Sequence, residues 1–78
     1  MEKAPIRNVE IVDESIRLGQ FLKLAGLADD GGHARELLEA GEVSVNGRGE
    51  DRRGRQLRGG DVVAVGAERA RLVTPSAP

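Results

Sequence analysis

The chain has no cysteine, no tryptophan and no tyrosine, and Phe21 is its whole aromatic complement in 78 residues. Without cysteine there can be no disulfide and no thiolate metal site. A single histidine, His33, leaves a structural zinc ion too few ligands. One aromatic ring cannot stack successive bases, so RNP-type and most single-strand-stacking modes of nucleic-acid binding are disfavoured. Uninterrupted apolar runs last only a few residues, too short to span a membrane. No signal-peptide apolar stretch follows Met1-Glu2-Lys3-Ala4-Pro5. The expectation is a soluble, cytoplasmic protein with a thin core, since a domain this small buries only ~60–65% of its unfolded surface.

What the chain does hold is glycine and unevenly placed charge. Its 11 glycines exceed the usual share of ~7%, so turns are frequent and elements short. The net charge of −1 conceals an asymmetry: residues 1–47 are net −4 and residues 48–78 net +3. Arg48, Arg52, Arg53, Arg55 and Arg58 crowd one short stretch, against Glu50 and Asp51. Such a local basic patch points to a polyanion partner. Its alternative is a solvated basic edge that keeps strands from aggregating.

Periodicity gives the elements. Ile6, Val9, Ile11 and Val12 predict a short strand over Asn8–Val12. Ser15 is the best N-cap for a helix over Ile16–Ala25, in which Leu18, Phe21, Leu22 and Ala25 form one apolar stripe and Gly26 the C′ residue. Asp29 or Asp30 caps a second helix from Gly32 or His33 to Ala40, closed by Gly41. After Gly41 the period changes from 3.6 to 2: Val43 and Val45 alternate with polar residues, and Asn46-Gly47 signals a tight turn. Arg-rich residues 52–58 form a loosely paired strand or loop around Leu57. Arg58-Gly59-Gly60-Asp61 turns, Val62–Val65 is a strand, residues 66–69 turn, and Ala70–Val73 is the last strand. The class is α+β. The core is expected to join Leu18, Phe21, Leu22, Leu37 and Leu38 to Val43, Val45 and Val63. One domain spans residues 6–73, and residues 1–5 and 74–78 are flexible termini.

No catalytic constellation can be assembled. Ser15 and Ser44 lie far from His33 in sequence, and although Asp29 and Asp30 stand close to it, no nucleophile–base–orienter set has a recognisable spacing. His33 reads as an exposed helix residue, or more weakly as a donor to phosphate. Gly31-Gly32 before a helix could face an anion, but GxGxxG and GK[ST] are absent and two acids precede it, so it reads as a turn.

Four segments carry a resemblance: Arg17-Leu18-Gly19-Gln20-Phe21-Leu22-Lys23; Ala34-Arg35-Glu36-Leu37-Leu38; Ala40 to Gly47 with its Val43-Ser44-Val45-Asn46-Gly47; and Leu57 to Val63 with its Gly60-Asp61. Together they resemble the S4-like RNA-binding domain, whose pattern is an R-L-D-x-x-L helix, an A-x-x-L-I-x-x-G helix end, V-x-V-N-G and a later G-D. The Ser15–Lys23 start and the short length look closest to the small YbcJ-like subgroup of bacterial RNA-binding proteins. There are two departures: the Asp after R-L is Gly19, and the Ser-Arg pair before the second helix falls at Asp30-Gly31.

The resemblance implies the S4-like fold (αL motif): two packed short helices, then a small, mostly antiparallel sheet, with a short N-terminal strand. It implies a non-catalytic RNA-binding protein that contacts structured RNA, rRNA or tRNA, on a ribosomal subunit or elsewhere in translation. It acts as a monomer, with no cofactor and no metal. Arg17, Lys23 and Arg35 match basic helix positions, and Asn46, Gly47 and Arg48 match the turn. With Arg52, Arg53 and Arg55, and His33 as a weaker candidate, the cations are expected to converge on one face. The alternative is a protein–protein interaction module that uses an exposed sheet edge.

Overall fold

The computed structural model describes residues 5–75. In it β1 (Ile6–Glu10) and β2 (Ser15–Arg17) precede α1 (Leu18–Leu24) and α2 (Gly31–Glu39). Then come β3 (Val43–Val45), β4 (Arg48–Gly49), β5 (Gln56–Arg58), β6 (Val62–Val65) and β7 (Glu68–Val73). Five strands form one sheet in the order β1-β7-β6-β3-β4, and β2 and β5 form a separate pair. Only β1 with β7 is parallel, Ile6 opposite Arg69 through Glu10 opposite Val73; the other pairings are antiparallel. The fold is the expected α+β one, two short helices and a mostly antiparallel sheet with a short N-terminal strand. Among the described residues no helix is long and apolar enough to cross a membrane.

The core follows from the alternation. Val43 and Val45 of β3, Val63 of β6, and Ala70 and Leu72 of β7 all face inward and are buried. Against them lie Leu18, Phe21, Leu22 and Ala25 of the first helical segment and Ala34 and Leu38 of α2, with Leu37 only partly covered. Leu57, expected to be loosely held, is fully buried, because it pairs with Ile16 across β2 and β5 and reaches the same core.

Helix ends are set by short-range chemistry. Gly26 and Gly41 both have φ of +74°. At the first, the Leu27 amide donates to Leu22 O and the Gly26 amide to Lys23 O; at the second, Glu42 donates to Leu37 O and Gly41 to Leu38 O. Each is a Schellman closure, which satisfies carbonyls the helix leaves open. The Asp30 side chain accepts from the His33 amide at 2.8 Å and caps α2. At the far end of α1, Arg7 Nη2 donates to Ala25 O at 2.8 Å, a cation where the dipole is negative.

The start of α1 departs from the sequence reading. Residues 15–17 are a strand, Ser15 caps nothing, and the N-cap residue is Arg17 in extended conformation with no side-chain cap. Ile16 is β-branched and pairs with Leu57 instead of beginning a helix. The expected Asn8–Val12 strand is displaced to Ile6–Glu10; its ladder ends with the Ile11 amide on Val73 O at 3.0 Å, and Val12 is 90% exposed. The last turn is only Gly66-Ala67, so β7 begins at Glu68. Of the expected flexible termini, residues 1–4 and 76–78 lie outside the described residues. Thr74 is held against Gly59, where an added Cβ would meet its Oγ1 at 2.7 Å.

Asn46 and Gly47 make the two-residue turn between β3 and β4, both at positive φ, 53° and 85°. The Asn46 amide also reaches a second turn: Nδ2 donates to Asp61 Oδ1 at 3.0 Å, and Oδ1 accepts from the Val62 amide at 2.9 Å. Asp61 Oδ2 meanwhile accepts from the Arg58 amide at 2.9 Å. The N-G and G-D of the sequence pattern are therefore two halves of one staple.

Two stability predictions follow from this packing. Phe21→Ala should cost about 3–5 kcal/mol, a large part of the stability of so small a domain; an unchanged chemical-denaturation midpoint would place the core elsewhere. Asn46→Ala should cost about 2 kcal/mol, from two lost hydrogen bonds and a left-handed alanine. Its thermal midpoint should fall by roughly 10 °C, and a drop of under a degree or two would show that the staple contributes nothing.

Candidate nucleic-acid interface

The candidate interface is built around a loop. Between β4 and β5 the chain runs Glu50-Asp51-Arg52-Arg53-Gly54-Arg55. Glu50 is buried, at 8% exposure, and its amide donates to Val43 O at 3.0 Å. Its carboxylate collects the loop. Oε2 accepts from the Arg52 amide and from Arg52 Nε, both at 3.0 Å, while Oε1 accepts from Arg55 Nη1 at 2.8 Å and from Arg52 Nη2 at 3.4 Å. These charge-assisted bonds, first those from the Arg52 side chain and then that from Arg55, hold the Glu50 pKa down to about 2; burial acts weakly the other way.

The loop so held completes α1. The Leu18 amide donates to Arg55 O at 2.8 Å and the Gly19 amide to Arg53 O at 3.0 Å. Two of the N–H groups that a helix leaves open are thus satisfied by backbone carbonyls, which is why Arg17 needs no capping side chain.

Over this junction lies a shallow cleft lined by Arg17, Gly19, Gln20 and Lys23 from the first helix region, Gly31 and Ala34 of α2, and Arg53 and Gly54 of the loop. It contains three cations and no carboxylate. No ion pair or side-chain hydrogen bond engages Arg17, Lys23 or Arg53 among the described residues. Arg53 also borders a neighbouring depression with Arg35, Leu38, Glu39 and Asp51.

The other candidates are placed differently. Arg35 lies beside this area but its Nε pairs with Glu39 at 3.3 Å on the exposed face of α2. Arg52 and Arg55 direct their guanidinium groups to Glu50, so their first task is internal. Arg48 is exposed on β4 and Gly47 in its turn; neither lines the cleft. Asn46 has both amide atoms bonded within the protein. His33 is half-buried, and its Nδ1 accepts from the Asp29 amide at 2.9 Å, which leaves the ring proton to Nε2. With the Asp30 bond, this makes a reciprocal cap at the start of α2. The seven cations expected on one face therefore resolve into three in one cleft, Arg35 beside it, Arg48 apart on β4, and Arg52 and Arg55 tied to Glu50.

Sequence reasoning missed Glu50 and Gly19. An acid within an arginine run reads as solvated charge, and only its depth shows it to be the hub. No group of three or more potential metal ligands occurs among the described residues.

The low Glu50 pKa has a pH signature. A carboxylate whose folded pKa lies below its ordinary 4.5 stabilises the fold above that value and loses the contribution as pH falls through about 2. The stability difference between wild type and Glu50→Gln should therefore be constant near neutrality and shrink steadily below about pH 4.5. Denaturant unfolding at several pH values measures it; a difference independent of pH down to 2 would mean that the ionised carboxylate is not what holds the loop.

The fold has relatives among known proteins. The model of a family described as the S4 domain matches residues 9–73. The probable ribosome maturation protein RlbA of Bacillus subtilis (strain 168) is 49% identical over 57 residues, covering 73% of this chain and 80% of that protein. Among solved structures, the 30S ribosomal protein S4e of Thermoplasma acidophilum superposes with a TM-score of 0.58 at 25% identity, over 76% of this chain. This chain spans only 31% of that ribosomal protein. The family match extends from within β1 to the last residue of β7, across both helices, the Asn46–Asp61 staple and the Glu50 loop, and on that extent the chain belongs to the S4-domain family.

Proposed function

We propose that this protein is a non-catalytic, cytoplasmic RNA-binding protein that contacts structured RNA, ribosomal or transfer, and serves ribosome maturation or translation. The observation that carries the reading is the carboxylate-free cleft with Arg17, Lys23 and Arg53 on an S4 fold. The names of the similar proteins support the ribosomal context.

The chemistry of the surface supports structured rather than single-stranded RNA. The only aromatic ring, Phe21, is fully buried, so base stacking on the protein has no platform. A-form RNA has a deep, narrow major groove that side chains cannot read, and offers phosphates, 2′-hydroxyls and shape instead. Unpaired guanidinium and ammonium groups suit phosphates, and Arg can bond two oxygens at once. The protein acts as a monomer without a cofactor. No reaction is needed: His33, the one imidazole, is bound into the start of its own helix.

Binding of this kind is driven by counterion release, so affinity falls steeply with salt. Titrations of transfer RNA and of ribosomal RNA fragments at several salt concentrations test it. Each cleft cation that contacts a phosphate should lower the slope by about 1 when replaced by alanine, and weaken all RNA sequences about equally. The Arg17→Ala/Lys23→Ala/Arg53→Ala variant should therefore lose most of the salt dependence. If it binds as wild type does, the cleft is not the RNA face. The outer edge of β1, unpaired in the five-stranded sheet, then becomes the surface to examine for a partner strand.

A further inference from the structure

The three cleft cations differ in how they are held. Arg17 is the extended residue before α1 and Lys23 lies on its exposed side. Arg53 belongs to a loop, yet its stem lies against the first helix. Its side chain crosses the face of Gly19, where an added Cβ would stand 2.4 Å from Arg53 Cγ and 3.1 Å from Cδ. Non-bonded carbons rest about 3.5–4.0 Å apart, so the Arg53 stem fills the space that any side chain at position 19 would take. Its backbone is fixed as well, because Arg53 O accepts the Gly19 amide. Arg52 on one side and Arg55 beyond Gly54 on the other are both tied to the single carboxylate of Glu50.

The Leu18 and Gly19 amides of α1 donate to loop carbonyls, and at the start of α2 the His33 amide donates to Asp30. Arg17, Lys23 and Arg53 are the charged donors of this cleft. A planar guanidinium on a confined stem loses less conformational freedom on binding than a free one.

We propose that the cleft between α1 and the start of α2 is a phosphate subsite for an RNA strand, with Arg53 as its central ligand, admitted by Gly19 and positioned by Glu50. The inference rests on the RNA reading above and assigns that reading a site and a mechanism.

The positioning role inverts the sign expected from charge alone. Glu50→Gln removes one negative charge and releases two arginines, so a protein that bound RNA by summed charge would bind it more tightly. If Glu50 acts by placing Arg53, the same variant binds more weakly. Gly19→Ala changes no charge and suits a helix better than glycine does. Its methyl group displaces the Arg53 stem.

The experiment titrates a fluorescently labelled RNA stem-loop, and transfer RNA as a second probe, against full-length wild type and variants well below their melting temperatures. Arg53→Ala should weaken binding about tenfold. Gly19→Ala should weaken it by a similar factor while the chain stays folded, and Glu50→Gln should weaken it too. Adding Arg53→Ala to either should cost nothing further, since each has already removed Arg53 from the cleft. Wild-type affinity in Gly19→Ala, tighter binding in Glu50→Gln, or losses that simply multiply would each overturn the subsite while leaving the RNA reading intact. Failure of the wild type to bind either RNA would overturn both. Should Glu50→Gln fail to fold, Gly19→Ala still decides the matter.

Discussion

The helix side of this molecule depends on one carboxylate. A seven-residue helix such as α1 is far too short to persist alone, and no side chain caps its start. It is completed by carbonyls of residues 53 and 55, and those are in place because Arg52 and Arg55 close on Glu50 from either side. A buried ion pair often gains little, because desolvating both partners offsets their attraction. Here the cost falls mainly on the acid: the Glu50 side chain is 7% exposed, whereas those of Arg52 and Arg55 are 74% and 37% exposed. The guanidinium groups keep part of their water while the carboxylate receives hydrogen bonds on both oxygens.

Features written in neighbouring residues were legible in the sequence. Gly26 and Gly41 end their helices, Asp30 begins one, and Asn46-Gly47 turns as its composition demands. The alternation around Val43 and Val45 placed the core face of β3. What could not be read locally was pairing across long separations. Ile16 looks like the first residue of a helix until Leu57 is seen opposite it. The carbonyls that close the start of α1 come from a loop far along the chain. Asn46 read as a turn residue alone, and its second role appears only once Asp61 folds against it.

The same limit governed the candidate site. A run of arginines in sequence counts charges but does not say where they point, and two of those counted belong to Glu50. Gly19 looked like a missing acid in the family pattern. In the structure its lack of a side chain is what makes room for Arg53. Both misreadings have one cause: the Glu50 loop and α1 are joined by tertiary contacts that no spacing rule records.

Net charge is a poor guide to partners in such a molecule. Screening limits the reach of an exposed charge to about 8 Å at physiological ionic strength, so an anion at the cleft feels the groups lining it far more than the acidic surface beyond. The cleft itself is lined by Arg17, Lys23 and Arg53, while Glu50 is neutralised by its own arginines and Glu39 pairs with Arg35; Asp30, next to Gly31, and Asp51, in the depression that Arg53 also borders, are acids beside it. A chain of net charge −1 can therefore present a locally cationic surface. In the RNA reading proposed above, the buried ring leaves no stacking platform, and the spacing of a few free cations against phosphates carries the discrimination. That places a premium on rigid placement over charge number, which is what the Glu50 loop, Gly19 and the backbone bonds to α1 supply.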